Sequence, residues 1–156
     1  MFLDQENTYD RVDWSYLKRC LQRVGFGPKW LLAISTIYSN LSGSILVNHF
    51  LSCPFKISQG LQHGDPLSPL LYNLVLEPLL CFLQRQVSGL HLPGLHFQVS
   101  AFCDDIVVAV SQVEDFRQVE QGLILHEKAS NGKINTSKCE TLPLTNTSKG
   151  LLPGLG

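Results

Sequence analysis

No CxxC pair and no Cys/His cluster occurs among the five cysteines, Cys20, Cys53, Cys81, Cys103 and Cys139. They are odd in number and widely spaced. That argues against a disulfide framework or a zinc site and fits a reducing compartment. Charge is scarce and balanced: charged residues make up 16% of the chain and the formal net charge is −1. Nucleic-acid-binding domains are usually basic. The composition therefore gives no hint of a polyanionic partner, and any such contact would have to use local clusters or segments outside this chain. No apolar run reads as a membrane span. Residues 67–87 come nearest, but Asn73, Glu77, Pro78, Gln84, Arg85 and Gln86 interrupt them. A basic n-region is missing at the start, which argues against a signal peptide. The expectation is an intracellular protein, nuclear or cytoplasmic, with no membrane partner. Internal repeats are also absent.

What is present is a globular mixture. Of 156 residues, 44% are hydrophobic, enough for one domain with its own core. Residues 1–3 are apolar and read as the end of a buried strand. Asp13 is placed to cap a helix starting at Trp14, with Tyr16, Leu17, Cys20, Leu21 and Val24 at helical spacing. Gly25 and Gly27 supply the stop and Pro28 the next start. A second helix should bury Trp30, Leu31, Ile34, Ile37, Tyr38 and Leu41. Runs at 44–47 and 50–57 suggest a hairpin about Asn48-His49. The loop at 58–66 leads to Asp65 as N-cap and Pro66 at the first position of a long helix reaching about Val87. Its buried face is expected to carry Leu67, Leu70, Leu71, Leu74, Val75, Leu79 and Phe82, with a loosened turn at Pro78. A loop is expected at 89–94, an amphipathic helix at 113–129 ended by Asn131-Gly132, and a polar turn at 133–140 leading into a short strand. The tail, 145–156, reads as disordered.

The stretch with most chemistry is Phe102-Cys103-Asp104-Asp105-Ile106. Apolar, β-branched flanks at 98–101 and 106–110 read as two strands, and the Asp pair as the turn between them. An isolated Asp-Asp is most simply a solvated acidic turn. Yet Asp4 also follows an apolar strand. If these strands are sheet neighbours, Asp4, Asp104 and Asp105 converge. Hard oxygen ligands without His or Cys suit Mg2+ or Mn2+. Two such ions form the clamp for in-line displacement at phosphorus.

Four motifs in order resemble reverse transcriptases, most closely those of LINE-type, non-LTR retrotransposons. Residues 2–13, FLDQENTYDRVD, resemble the first palm motif, and 58–72, SQGLQHGDPLSPLLY, the second. Phe102-Cys103-Asp104-Asp105 resembles the third, and Lys133-Ile134-Asn135 with Ser137-Lys138-Cys139-Glu140 the fourth. The likeness covers residues 1–144.

The resemblance implies an α+β fold: a palm with an antiparallel sheet and helices packed on one face, incomplete fingers and no thumb. It implies RNA-directed DNA polymerase activity, with RNA template, DNA primer and deoxynucleoside triphosphates as partners and two Mg2+ (or Mn2+) ions as cofactors. Asp4, Asp104 and Asp105 match the metal-binding carboxylates. Tyr9 matches the gate beneath the nucleotide sugar; read without the family it is a core tyrosine. Gln59 and Gly60 match the loop supporting the incoming nucleotide, and Lys138 the lysine near the triphosphate. The plain readings of Gly60 and Lys138 are a loop glycine and a solvated lysine. Asn7-Thr8, Gln62-His63 and Phe102-Cys103 stand where the family more often has Lys-Ala, Arg-Gln and Tyr-Ala. The alternative is a truncated retrotransposon relic without polymerase activity on its own.

Overall fold

A computed structural model describes residues 1–144. The expectation for the tail at 145–156 lies outside the described residues. The chain runs β1 (Phe2–Leu3), β2 (Gln5–Glu6), α1 (Trp14–Val24), α2 (Pro28–Tyr38), β3 (Ser42–Gly43), β4 (Leu46–Val47), β5 (Phe50–Leu51), β6 (Phe55–Lys56) and α3 (Leu67–Gln86). It continues with β7 (Leu90–Leu92), β8 (Leu95–Phe97), β9 (Val99–Phe102), β10 (Asp105–Val108), α4 (Val113–Ser130) and β11 (Lys133–Ile134). The fold is mixed α+β with small antiparallel sheets, as expected.

The helix boundaries follow local chemistry. Asp13 accepts the Tyr16 amide at 2.7 Å and so satisfies a donor that the first turn of α1 leaves free. Gly25 closes α1 at φ +101°, where a side chain would be strained, and Pro28 opens α2. α3 begins one residue later than expected: Pro66 takes the cap position, while the Asp65 carboxylate still accepts the Leu67 amide at 3.0 Å. Asn131, at φ +63°, ends α4.

Burial rotates two helical faces away from the expected stripes. On α2 only Ile34 and Tyr38 are buried, and Trp30 remains 65% exposed. On α3 the buried set is Ser68, Leu71, Tyr72, Val75, Leu76, Leu79 and Leu83, with Leu70 turned outward. The reason is that α3 is clasped by several neighbours, α1 on one side and α4 and β9 on others, so its apolar arc is wider than one stripe. Gly122 of α4 permits that closeness: a Cβ there would lie 2.8 Å from the Phe82 ring. α3 carries only Glu77 and Arg85 as charges, and by length and composition it is long and apolar enough to cross a membrane. In this fold its apolar side belongs to the core shared with Leu3, Ile106, Val108 and Val119.

The sheet that positions the acidic stretch has the order β1-β10-β9, all antiparallel. Leu3, Ile106 and Val108 turn to the core, while Phe2, Val107 and Asp105 alternate to the other face. Glu140 exchanges both backbone hydrogen bonds with Phe2, at 2.7 and 3.1 Å. β11 pairs with β2, a strand hidden in a polar segment. The expected loop at 89–94 is instead part of the β7–β8 hairpin. Pro93-Gly94, with Gly94 at φ +77°, gives the turn residues a type II turn requires. Residues 42–56 form two short ribbons, β3 with β6 and β4 with β5, around Asn48-His49 as expected.

Candidate active site

The hairpin at the acidic stretch differs from its sequence reading by one position. β9 ends at Phe102 and β10 starts at Asp105, and these two residues are paired. The two-residue turn is therefore Cys103-Asp104, not Asp104-Asp105. Cys103 takes φ +54°, a left-handed conformation usually left to glycine at the first turn position. Asp104 lies in the turn and Asp105 in the strand, so the two carboxylates leave the backbone in different settings.

β1 supplies the third carboxylate. Phe2 faces Val107 and Leu3 faces Ile106. One further step in that register brings Asp4 opposite Asp105. The Asp4 carbonyl accepts the Asn135 amide at 2.9 Å, which fastens the turn carrying Lys138 to the end of β1. Lys138 Nζ then lies 3.8 Å from Asp4 Oδ2. The expected fourth-motif lysine and first-motif aspartate are thus brought together.

Tyr9 stands beside them. Its ring meets Tyr72 edge-on at 5.4 Å and His63 at 5.3 Å. Burial, then the neighbouring Cys103 thiol and Asp104 carboxylate, push its hydroxyl above the ordinary tyrosine range. Tyr72 is raised further, by burial first and by Asp104 next. Its hydroxyl donates to Gln5 Oε1 at 2.6 Å. Gln5 and Tyr72 are buried supports that sequence reasoning missed. Strand alternation next to Asp4 was the available signal for Gln5, and the i+4 spacing from Ser68 for Tyr72.

The second-motif loop is tied to the first. Gly60 donates its amide to the Val12 carbonyl at 2.9 Å and accepts Trp14 Nε1 at 2.7 Å. It has φ +91°, and a Cβ there would lie 3.0 Å from the Asp10 carbonyl oxygen. Glycine is needed for both reasons. Leu61 donates to the Tyr9 carbonyl at 2.8 Å. Gln59 Nε2 donates to the Asp10 carbonyl at 3.1 Å, and His63 Nε2 lies 3.1 Å from Asp10 Oδ1. His63, one of the positions where the sequence departs from the family pattern, stands against Tyr9 where the family more often has glutamine.

The donor chemistry suits a hard divalent cation, and the Lys138 ammonium already accompanies Asp4. Among the described residues, however, no three His, Cys, Asp or Glu side chains gather closely enough to hold a metal ion. Asp4 and the hairpin carboxylates come from neighbouring strands of one sheet. A groove of about 550 Å3 is lined by Phe2, Phe97, Val107 and Phe116 among others and by none of the seven candidate site residues.

Known proteins match this layout. The family model described as reverse transcriptase (RNA-dependent DNA polymerase) matches residues 1–148. The chain belongs to the reverse transcriptase family. It is 34% identical, over 97% of its length, to a Xenopus laevis protein described as "Transposon TX1 uncharacterized 149 kDa protein", covering 11% of that protein. It is 34% identical, over 68% of its length, to a Pol polyprotein of the type-1 retrotransposable element R2 of Popillia japonica, covering 15% of it. Identity to the R2DM Pol polyprotein of Drosophila melanogaster is 26%, over 94% of this chain and 14% of that protein. This reverse transcriptase domain thus spans a small fraction of the curated relatives it matches, which are proteins of non-LTR elements.

Proposed function

We propose that this domain is the palm of a non-LTR reverse transcriptase and that it works in RNA-templated DNA synthesis. The observation that carries this reading is the register that sets Asp4 opposite Asp105, with Asp104 in the adjoining turn and Lys138 against Asp4. Asp4 and Asp104 are the principal ligands for two divalent ions and Asp105 a secondary one. When bound, such ions activate the attacking hydroxyl and neutralise charge at phosphorus.

The remaining steps belong to the chain's own residues. Tyr9, braced by Tyr72, packs beneath the sugar of the incoming deoxynucleotide and meets a 2′-hydroxyl with a clash. Gln59 and Gly60 support the nucleotide through the loop fastened to Asp10 and Val12. Lys138, which stands against Asp4, would face the triphosphate and give a proton to the leaving pyrophosphate. Electrostatic stabilisation by positioned groups of this kind is worth several kcal/mol in a transition state. The relatives this domain matches are longer polypeptides, of which it covers 11% and 15% in the two cases at 34% identity.

Primer extension by the 156-residue chain on an RNA template with Mn2+ tests this. Extension that disappears in Asp104→Ala, with the melting temperature of that variant unchanged in the absence of metal, is the expected result. No extension, together with no Mn2+-dependent shift in melting temperature, overturns the reading.

A further inference from the structure

The β7–β8 hairpin carries two of the five histidines, in the run His91-Leu92-Pro93-Gly94-Leu95-His96. Leu92 pairs with Leu95 across the Pro93-Gly94 turn, so His91 and His96 stand directly opposite each other on the two strands. Strand alternation turns Leu90 and Phe97 to the other face, where they line the apolar groove, and both histidines are exposed. Their imidazoles stack, with centroids 4.0 Å apart and planes 8° from parallel. Neither residue has a part in the nucleotidyl transfer proposed above.

One of the two rings already has the support that metal-binding imidazoles use. His96 Nε2 lies 2.9 Å from the Ser88 carbonyl oxygen. A carbonyl only accepts, so Nε2 carries the proton and the lone pair of the neutral ring is on Nδ1. Holding one ring nitrogen as a donor to a carbonyl orients the other as a ligand. Ser88 is itself fixed. Its amide donates to the buried Asp115 carboxylate at 2.9 Å, and its Oγ accepts Gln112 Nε2 at 2.6 Å. Gly89, at φ +74°, lets this segment run close to β8: a Cβ there would lie 2.5 Å from the Phe97 carbonyl oxygen.

Two nitrogens that share one ion at about 2.0–2.1 Å each are at most about 4.2 Å apart. Rings stacked at 4.0 Å meet that limit without a shift of the strands. No third His, Cys, Asp or Glu joins the pair among the described residues, so water completes the shell. Two imidazoles with water form a nitrogen-and-oxygen set open to tetragonal geometry, which suits Cu2+ and Ni2+. Mg2+ and Mn2+ prefer oxygen ligands and select against such a site. We propose that His91 and His96 form a two-imidazole chelate for a divalent ion of the Cu2+ and Ni2+ class, with His96 bound through Nδ1. The ion clips β7 to β8. This site is independent of the polymerase reading and uses none of its carboxylates.

Isothermal titration of the 156-residue chain with Ni2+, which does not oxidise the free cysteines, tests this in buffer without Mg2+ or Mn2+. One equivalent is expected to bind. His91→Gln and His96→Gln each weaken that binding by about tenfold or more, the least that loss of a ligand costs when loss of an outer support costs as much. The double variant loses little further, because a lone imidazole no longer chelates. His49→Asn removes an exposed imidazole from the β4–β5 ribbon, at a positive φ that Asn accepts, and leaves the affinity unchanged. In the unmodified chain, substoichiometric Ni2+ broadens the ring resonances of His91 and His96 before those of His49, a readout that needs no variant. No saturable binding, unchanged affinity in either single variant, an equal loss in His49→Asn, or broadening centred on another histidine overturns the proposal. Because the assay holds no nucleotide and no Mg2+ or Mn2+, its failure is separate from failure of primer extension.

Discussion

Two hairpins of this domain share a design and meet opposite fates. β9–β10 and β4–β5 each join apolar strands through two residues, and each places a non-glycine residue in the left-handed region. In β4–β5 both Asn48 and His49 have positive φ, matching the twist of a two-residue ribbon. In β9–β10 only Cys103 does. The β9–β10 hairpin is covered by α3 and continued by β1, so Ile106 and Val108 are buried. The β4–β5 ribbon stands bare, with Phe50 81% exposed. Equal local propensity therefore leads to unequal stability. The covered hairpin carries its carboxylates on a packed sheet, and the bare one contributes apolar surface without a core.

The largest expected effect comes from truncating both hairpins. Ile106→Ala should cost about 2–5 kcal/mol, the range for emptying a packed core position. Phe50→Ala should stay within about 0.5 kcal/mol, as an exposed change does. Urea unfolding of the two variants measures the contrast, and equal losses would break it.

Acid should sharpen the contrast next. His126 of α4 is buried, its Nδ1 has no hydrogen-bond partner, and burial lowers its pKa to about 4. The unfolded chain takes up this proton near pH 6.5 and the folded one near 4. Stability is therefore complete above about pH 6.5 and falls as pH drops towards 4, by about 3 kcal/mol in total. His126→Phe, which keeps the edge-on packing with Tyr16 at that position, should flatten this window in a pH series of thermal melts. Asp115 acts at lower pH. Burial alone would raise its carboxyl, but hydrogen bonds from Ser88 and Ser111 hold it below the usual range.

The smallest effect is in the loop that lies between the two hairpins in sequence. Gly60→Ala should cost about 1–2 kcal/mol, from positive φ and the approach to Asp10. The loss should be similar in chains with and without the Phe50→Ala change, because the ribbon shares no core with the loop. A strong non-additivity in the double variant would show that the two regions are coupled.

Much of the fold was legible because caps and breakers act within a few residues. Asp13, Gly25, Pro28 and Asn131 ended or began helices where their chemistry predicts. The β7–β8 hairpin was missed: its strands are only three residues each, and the Pro93-Gly94 turn was read as part of a loop. The candidate site residues came from motif order, and the buried residues that contact them did not. Gln5 reads as polar loop, yet it is buried because Tyr72 reaches it across the core.

By itself the sequence determined the residue types of the site, the family they belong to and the punctuation of the helices, because each of these is written in short windows. Only the tertiary structure decided that the turn is Cys103-Asp104, that Asp4 faces Asp105, that Lys138 sits on Asp4, and which of two similar hairpins is buried. Register and burial are set by pairing and packing between segments about a hundred residues apart, as Leu3 with Ile106 shows, and no local window contains both partners.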